Sequence, residues 1–218
     1  VTQHQQIYQL RLRIVGISPM IWRRILVKSD TSIANLHYII QILMGWTDEY
    51  LHNFKIHGKE YGIYKIGGAG FSDDPHKIIL STFGLVNNAL FTYKYNYFAS
   101  WKIEIRVEDI DPTYSSKFYP VCIDGKRKGP PEEIRGPIKF MEMEDYYCNW
   151  KIMELVQDDL ERYKSGDIGD GELSRSFAVL HYWITKNDLK RRKINKTLEL
   201  FGKQDSAWEE RLIEEAVS

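Results

Sequence analysis

The stretch from residue 7 to residue 58 constrains this chain more than any other, because its apolar spacing switches from alternation to helical spacing and back. Tyr8, Leu10, Leu12 and Ile14 share one face of an extended run and Gln9, Arg11 and Arg13 the other, the pattern of a half-buried strand. Gly16-Ile17-Ser18-Pro19 supplies a bend, and a second strand is expected over residues 20 to 28. There Ile21, Arg23, Ile25 and Val27 alternate with Trp22, Arg24 and Leu26, so each face carries one guanidinium. One Arg is therefore inward; the expected arrangement is a stem lying over Trp22 with its head in water. Asp30, Thr31 or Ser32 can cap a helix that carries Ile33, Leu36, Ile40, Leu43 and Met44 on one side and Tyr38 and Ile42 on the other, with Gly45 placed to end it. Apolar residues on two sides predict that a later segment packs on the back of this helix. A third strand follows over residues 50 to 56, with a turn at residues 57 to 60.

Two further alternating runs, Phe91-Tyr93-Tyr95-Tyr97 and Trp101-Ile103-Ile105-Val107, predict an antiparallel pair joined by residues 96 to 100. Residues 67 to 75, rich in Gly, Ser and Asp, read as a loop, because the glycines do not follow a strand and open a helix as a phosphate-binding turn requires. The segment from 111 to 143 reads as irregular, with Lys126-Arg127-Lys128 at a loop tip. From Glu144 the spacing is helical, with a break at residues 166 to 171. Further helices are expected over 174 to 185, 188 to 201 and 207 to 217, and Ser206 with Glu209 forms a capping box for the last. The fold class is α+β: a mixed or antiparallel sheet that begins as a β-grasp-like strand-strand-helix-strand unit, with a helical C-terminal half. It is read as a single domain over residues 7 to 218: sheet and first helix to 110, irregular segment 111 to 143, helical cover from 144.

Composition narrows the function classes. Thirty Lys and Arg balance thirty Asp and Glu in 218 residues, so a basic site has to be local. Two cysteines far apart, Cys122 and Cys148, make no zinc knuckle, and with no secretory leader in view they suggest a reduced, cytoplasmic setting. Neither has a neighbouring His to serve as the base of a thiol nucleophile. The longest apolar run is too short to cross a bilayer, so no membrane is expected.

No motif in the residues demands a metal or cofactor, and none is expected. His52 and His57 point to opposite faces of a strand, while His37 with His52 and a nearby acid could meet only through folding. The local basic sites are a stripe of Arg11, Arg13 and the outward one of Arg23 and Arg24, and the helix bearing Lys190, Arg191, Arg192 and Lys193. Together they would suit nucleic acid, with affinity falling steeply as salt rises; a solvated, ion-paired face is the plainer reading.

The run Pro19-Met20-Ile21-Trp22-Arg23-Arg24, then Leu36-His37, Met44-Gly45-Trp46, Leu51-His52-Asn53-Phe54, Tyr95 to Trp101, and Gly125 with Pro130-Pro131-Glu132, resembles the plasmid pRiA4b ORF-3-like family. The resemblance covers roughly residues 7 to 200. It implies a small protein of plasmid or transposon association, with Trp22, His37, Trp46, His52, Trp101, Glu132 and Glu133 at family-motif positions. The family's Tyr-Asp-Phe-Gly-Asp-x-Trp-x-His block stands here as Tyr95-Asn96-Tyr97-Phe98-Ala99-Ser100-Trp101-Lys102-Ile103, without its two acids and its His. The expectation is a non-enzymatic binding or accessory module with a protein or nucleic-acid partner. The alternatives are a nucleic-acid-binding protein and a degenerate hydrolase using Glu132, Glu133 and a histidine.

Overall fold

The computed structural model describes residues 5–62, 71, 73–113 and 116–204. Seven strands form one sheet: β1 (Ile7–Ile14), β2 (Trp22–Lys28), β3 (His52–Ile56), β4 (Lys59–Gly62), β5 (Leu90–Tyr95), β6 (Trp101–Ile110) and β7 (Val121–Lys126). Their order is β4-β3-β5-β6-β1-β2-β7, and every neighbouring pair is antiparallel. The chain does begin strand, strand, helix, strand, and in the sheet two strands, β5 and β6, lie between β3 and β1. The expected turn at residues 57 to 60 is tighter than read: Lys59 and Glu60 already pair with Ile56 and Lys55.

Alternation builds the two faces. Tyr8, Leu10, Leu12, Ile14, Ile25, Val27, Phe91, Tyr93, Tyr95, Trp101, Ile103, Ile105 and Val107 are buried against the helices. The opposite face is polar, and its charges are mostly paired: Arg13 holds Glu104 with two hydrogen bonds of 2.9 and 3.0 Å, and Arg24 grips Glu108 through Nε and Nη2. Trp22 lies on this face beneath the guanidiniums of Arg11 and Arg24, 5.1 and 5.4 Å from its ring. The inward guanidinium is Arg23, and it does not lie over Trp22 with its head in water. It is 1% exposed and donates to the carbonyls of Leu43, Trp22 and Lys126.

Helix α1 (Ile33–Met44) crosses the inner face. The Ser32 hydroxyl accepts from the Asn35 N–H, and Gly45 ends the helix at φ 74, where a Cβ would be strained. The remaining helices are α2 (Gly136–Tyr146), α3 (Asn149–Ser165), α4 (Asp170–Thr185) and α5 (Arg191–Gly202). As the two-sided apolar pattern of α1 requires, its back is covered: α5 packs there, with Phe201 6.4 Å from the Tyr38 ring. Phe140, Ile152, Leu180, Trp183, Ile194 and Leu198 of the four later helices join the same hydrophobic core as the sheet.

The segment 111 to 143 is more regular than its sequence suggests. Val121–Lys126 is β7, an edge strand paired with β2, and α2 begins at Gly136, eight residues before the expected helical start. The free edge of β7 is covered by Asn195 of α5, whose side-chain amide donates to Cys122 O at 2.9 Å and accepts from Cys122 N–H at 2.8 Å. Nor is Lys126-Arg127-Lys128 a loop tip. Arg127 is buried, pairs with Glu144, donates to Pro19 O and lies over the Phe140 ring. The glycine-rich stretch 67–70, the expected helix over 207 to 217 and its capping box lie outside the described residues.

Candidate functional site

Sheet order brings distant parts of the chain together at one end of α1. His37 and Gln41 come from α1, Trp46, Thr47 and Asp48 from the turn after it, His52 from β3, Tyr93 and Tyr95 from β5, Trp101 from β6 and Glu132 from the loop after β7. Five of the motif positions, His37, Trp46, His52, Trp101 and Glu132, therefore share one cluster. Trp22 lies on the opposite face of the sheet.

Gln41, Tyr93, His37 and Asp48 close a hydrogen-bonded ring, while the buried Trp101 Nε1 has no hydrogen-bond partner among the described residues. Gln41 Nε2 donates to Tyr93 Oη at 2.9 Å, and Gln41 Oε1 accepts from Asp48 N–H at 3.1 Å. Tyr93 is fully buried, so its own proton needs an acceptor, which His37 Nδ1 supplies at 2.8 Å. That leaves the His37 proton on Nε2, donating to Asp48 Oδ1 at 2.8 Å. Burial pushes the His37 pKa below its ordinary value, against the opposing pull of Asp48, so the imidazole favours its uncharged form in this contact. Burial first, then the carboxylate of Glu132, holds the Tyr95 hydroxyl far above its ordinary range, and it stays protonated.

Glu132 is the centre of a second, neighbouring network. Tyr95 Oη donates to its Oε2 at 2.6 Å, while Thr47 N–H and Oγ1 donate to Oε1 at 2.9 and 2.5 Å. Trp46 Nε1 donates to Pro130 O at 2.7 Å and its ring stacks on Tyr95 at 4.8 Å. The loop after β7 is thus fastened to the end of α1 by a buried carboxylate and an indole.

One atom from each of His37, Asp48 and His52 lies within 4.8 Å of the others, close to the spacing of metal ligands. The donor set nevertheless does not fit a cation. A metal on His37 Nε2 would move the ring proton to Nδ1, where it would oppose the Tyr93 proton, and Gln41 cannot turn to accept either without abandoning Asp48 N–H. The His37 and His52 rings are also stacked at 3.5 Å and 6°, so a cation in the plane of one lies out of the plane of the other. The substituted positions are apolar or already bonded: Ile103 is core, Ala99 is buried, and Asn96 donates to Glu132 O at 3.2 Å while accepting from Ala99 N–H.

Beside this cluster, on the far side of Glu132, is a cleft of about 320 Å³. Its walls are the end of α1, residues 128–133, α4, and the residues around the start of α5. Gly129 is pressed so closely on α1 that a Cβ would lie 2.0 Å from Met44 O. Lys128 hydrogen-bonds Thr185 at 2.7 Å, and Tyr182 Oη donates to Gly129 O at 3.1 Å, which ties the loop to α4. Sequence reasoning did not find this cleft, since its walls come from three separate segments, the outermost of them more than a hundred residues apart.

The basic residues singled out from sequence fall on three surfaces. Arg11, Arg13 and Arg24 stand on the open sheet face, Arg23 is at the cleft floor, and Lys190 and Lys193 reach the cleft rim. Arg191, Arg192 and Lys196 line an adjoining shallow groove that shares Leu189 and Lys190 with the cleft, and there Arg191 donates to Ile123 O at 2.5 Å. Glu133 lines the cleft rather than joining Glu132 in the cluster.

The family profile described as "Plasmid pRiA4b ORF-3-like protein" matches residues 6–160. The chain is 25% identical over 137 residues to "Uncharacterized protein y4hQ" of Sinorhizobium fredii (strain NBRC 101917 / NGR234), covering 62% of this chain and 70% of that protein. It is also similar to the crystal structure of a protein of unknown function, MM3350 from Methanosarcina mazei Go1, with a TM-score of 0.56 and 33% identity over 66% of this chain and 82% of that one. The chain belongs to the plasmid pRiA4b ORF-3-like family. The matched region ends before α4 and α5, the helices that wall the cleft.

Proposed function

We propose that this member of the family is a non-enzymatic binding module whose ligand site is the cleft between α1, residues 128–133, α4 and α5. The observation that carries the reading is the contrast at Glu132. On one side the Glu132 carboxylate is taken up by Tyr95 and Thr47; on the other lies a cavity within the size range of small-molecule sites. An accessory role in a plasmid or transposon is part of the same proposal, supported by the family's name. No helix among the described residues is long and apolar enough to cross a membrane.

A hydrolase built on Glu132 is disfavoured because both oxygens of that carboxylate are engaged by Tyr95 and Thr47. Amide-resolved NMR titration with a mixed library of small neutral, cationic and anionic compounds tests the binding reading. Perturbations are expected at residues 128–133 and 178–194; a library that leaves these amides unmoved ends it.

A second reading, nucleic-acid binding, draws on the open sheet face. Arg24, Arg11 and Arg106 stand side by side across β2, β1 and β6, a row of three cations in which Glu108 pairs with Arg24 and lies 4.0 Å from Arg11, and to which a phosphate would add a further counter-charge. Fluorescence anisotropy with a labelled duplex and a labelled single strand at low salt is the check. Absence of binding there removes it.

A further inference from the structure

The floor of the cleft holds a charge with no opposite charge beside it. Arg23 is 1% exposed, and the partners of its guanidinium are three carbonyl oxygens, from Leu43, Trp22 and Lys126. Burial lowers its pKa to about 10, which leaves it cationic at neutral pH. The strand alternation of β2 forces it inward, and the C-terminal carbonyl end of α1 tolerates it, but no carboxylate neutralises it among the described residues.

The rim adds cations of its own. Lys128 from the loop after β7, and Lys190 and Lys193 from the first turn of α5, converge on the same opening. Burial pushes the Lys128 pKa down and repulsion from Lys190 pushes it further, against the pull of Asp188, with Lys193 adding a smaller push. Of the acidic residues on the wall, Glu132 is spent on Tyr95 and Thr47, leaving Glu133 and Asp188 at the margin. Between floor and rim the surface is apolar, formed by Ile42, Val179, Leu189 and Ile194.

The geometry points to a small amphipathic anion as the occupant: a carboxylate or phosphate head among Lys128, Lys190 and Lys193 above Arg23, with an apolar body along Ile42, Val179, Leu189 and Ile194. This inference rests on the cleft being the binding site and adds the chemistry of what fills it. A cation meets repulsion from Arg23 and the three rim lysines, with Glu133 and Asp188 only at the margin, and a neutral apolar molecule leaves the converging charges unrelieved. A charge-assisted hydrogen bond to an ionised head is about twice as strong as one to a neutral group, so the head decides selectivity and the body supplies burial.

The test uses octanoate, octyl phosphate and octan-1-ol as probes, followed by isothermal titration and amide-resolved NMR. Both anions are expected to perturb residues 128–133 and 178–194 and to bind roughly tenfold more tightly than the alcohol. The double variant Lys190→Gln with Lys193→Gln is expected to bring them to the alcohol's level, whereas Lys196→Gln, in the neighbouring groove, leaves them unchanged. Whichever head binds more tightly identifies the natural head group. An alcohol that binds as well as the anions, or a preference that survives the double variant, overturns the anion inference while leaving the cleft a binding site. A cleft that no probe perturbs, in a protein whose library screen does find cleft ligands, likewise overturns only the inference. If the library leaves the cleft silent as well, both readings fall.

Discussion

Two regions meet at Glu132 and solve opposite problems. On the sheet side, Tyr93, Gln41, His37, Asp48, Tyr95 and Glu132 satisfy one another in two neighbouring networks, so that burying them costs little and fixes the loop after β7 to α1. On the cleft side, Arg23, Lys128, Lys190 and Lys193 crowd together with little opposing charge. A closed polar circuit makes a rigid hub, whereas a like-charge cluster around a cavity stores an interaction that only another molecule completes. The comparison separates what the family match covers, the hub, from what lies beyond it, the helices that make the second wall.

The comparison breaks first, and hardest, at the hub. Trp46→Ala removes a fully buried ring stacked on Tyr95 together with the bond to Pro130 O, and is expected to lower stability by about 4 kcal/mol in urea denaturation. Glu132→Gln exchanges a carboxylate with three donors for an amide that can accept at only one oxygen; the expected loss is about 2 kcal/mol, read as a lower urea midpoint at unchanged slope.

His37 sharpens it through pH. Its folded-state pKa lies below the ordinary value of 6.5, so the unfolded chain takes up the proton first. Stability is therefore whole above pH 6.5 and falls as pH drops toward the folded value, by up to about 1.4 kcal/mol per unit, which denaturation at pH 7.5 and 5.5 would register. The smallest effect belongs to the cleft. Lys190→Gln with Lys193→Gln should change stability by less than about 0.5 kcal/mol while abolishing the preference for anionic probes. Should this pair cost as much as the hub substitutions, the division of labour is wrong.

Much of the framework was legible because local chemistry dictates it. The alternating runs at residues 7 to 15, 91 to 97 and 101 to 107 became β1, β5 and β6, and Ser32 and Gly45 cap α1 as their types suggest. β7 was hidden because Gly125 and a basic run interrupt an edge strand that pairs only with β2, so no clean alternation was needed to bury it. Arg127 shows the same limit: in a Lys-Arg-Lys run nothing local distinguishes the solvated side chains from the one that folds under Phe140 and meets Glu144. His37, Trp46, His52, Trp101 and Glu132 could be named one by one from their motif blocks, yet the network could not be drawn, since Gln41, Asp48 and Tyr93 belong to no block and enter only through their hydrogen bonds.

By itself the amino-acid order determined the strands β1, β2, β5 and β6 and the helix α1, which side of each is apolar, and that one of Arg23 and Arg24 had to be buried. These are short-range properties, set by backbone period and side-chain type. Only the tertiary structure decided the strand order, and with it that α1 would end against β5, that Glu132 would close the hub, and that the end of α1 and the start of α5 would face each other across a cationic cleft. Antiparallel pairing accepts many orders of the same strands, so the choice among them is made by how all the apolar faces are covered at once.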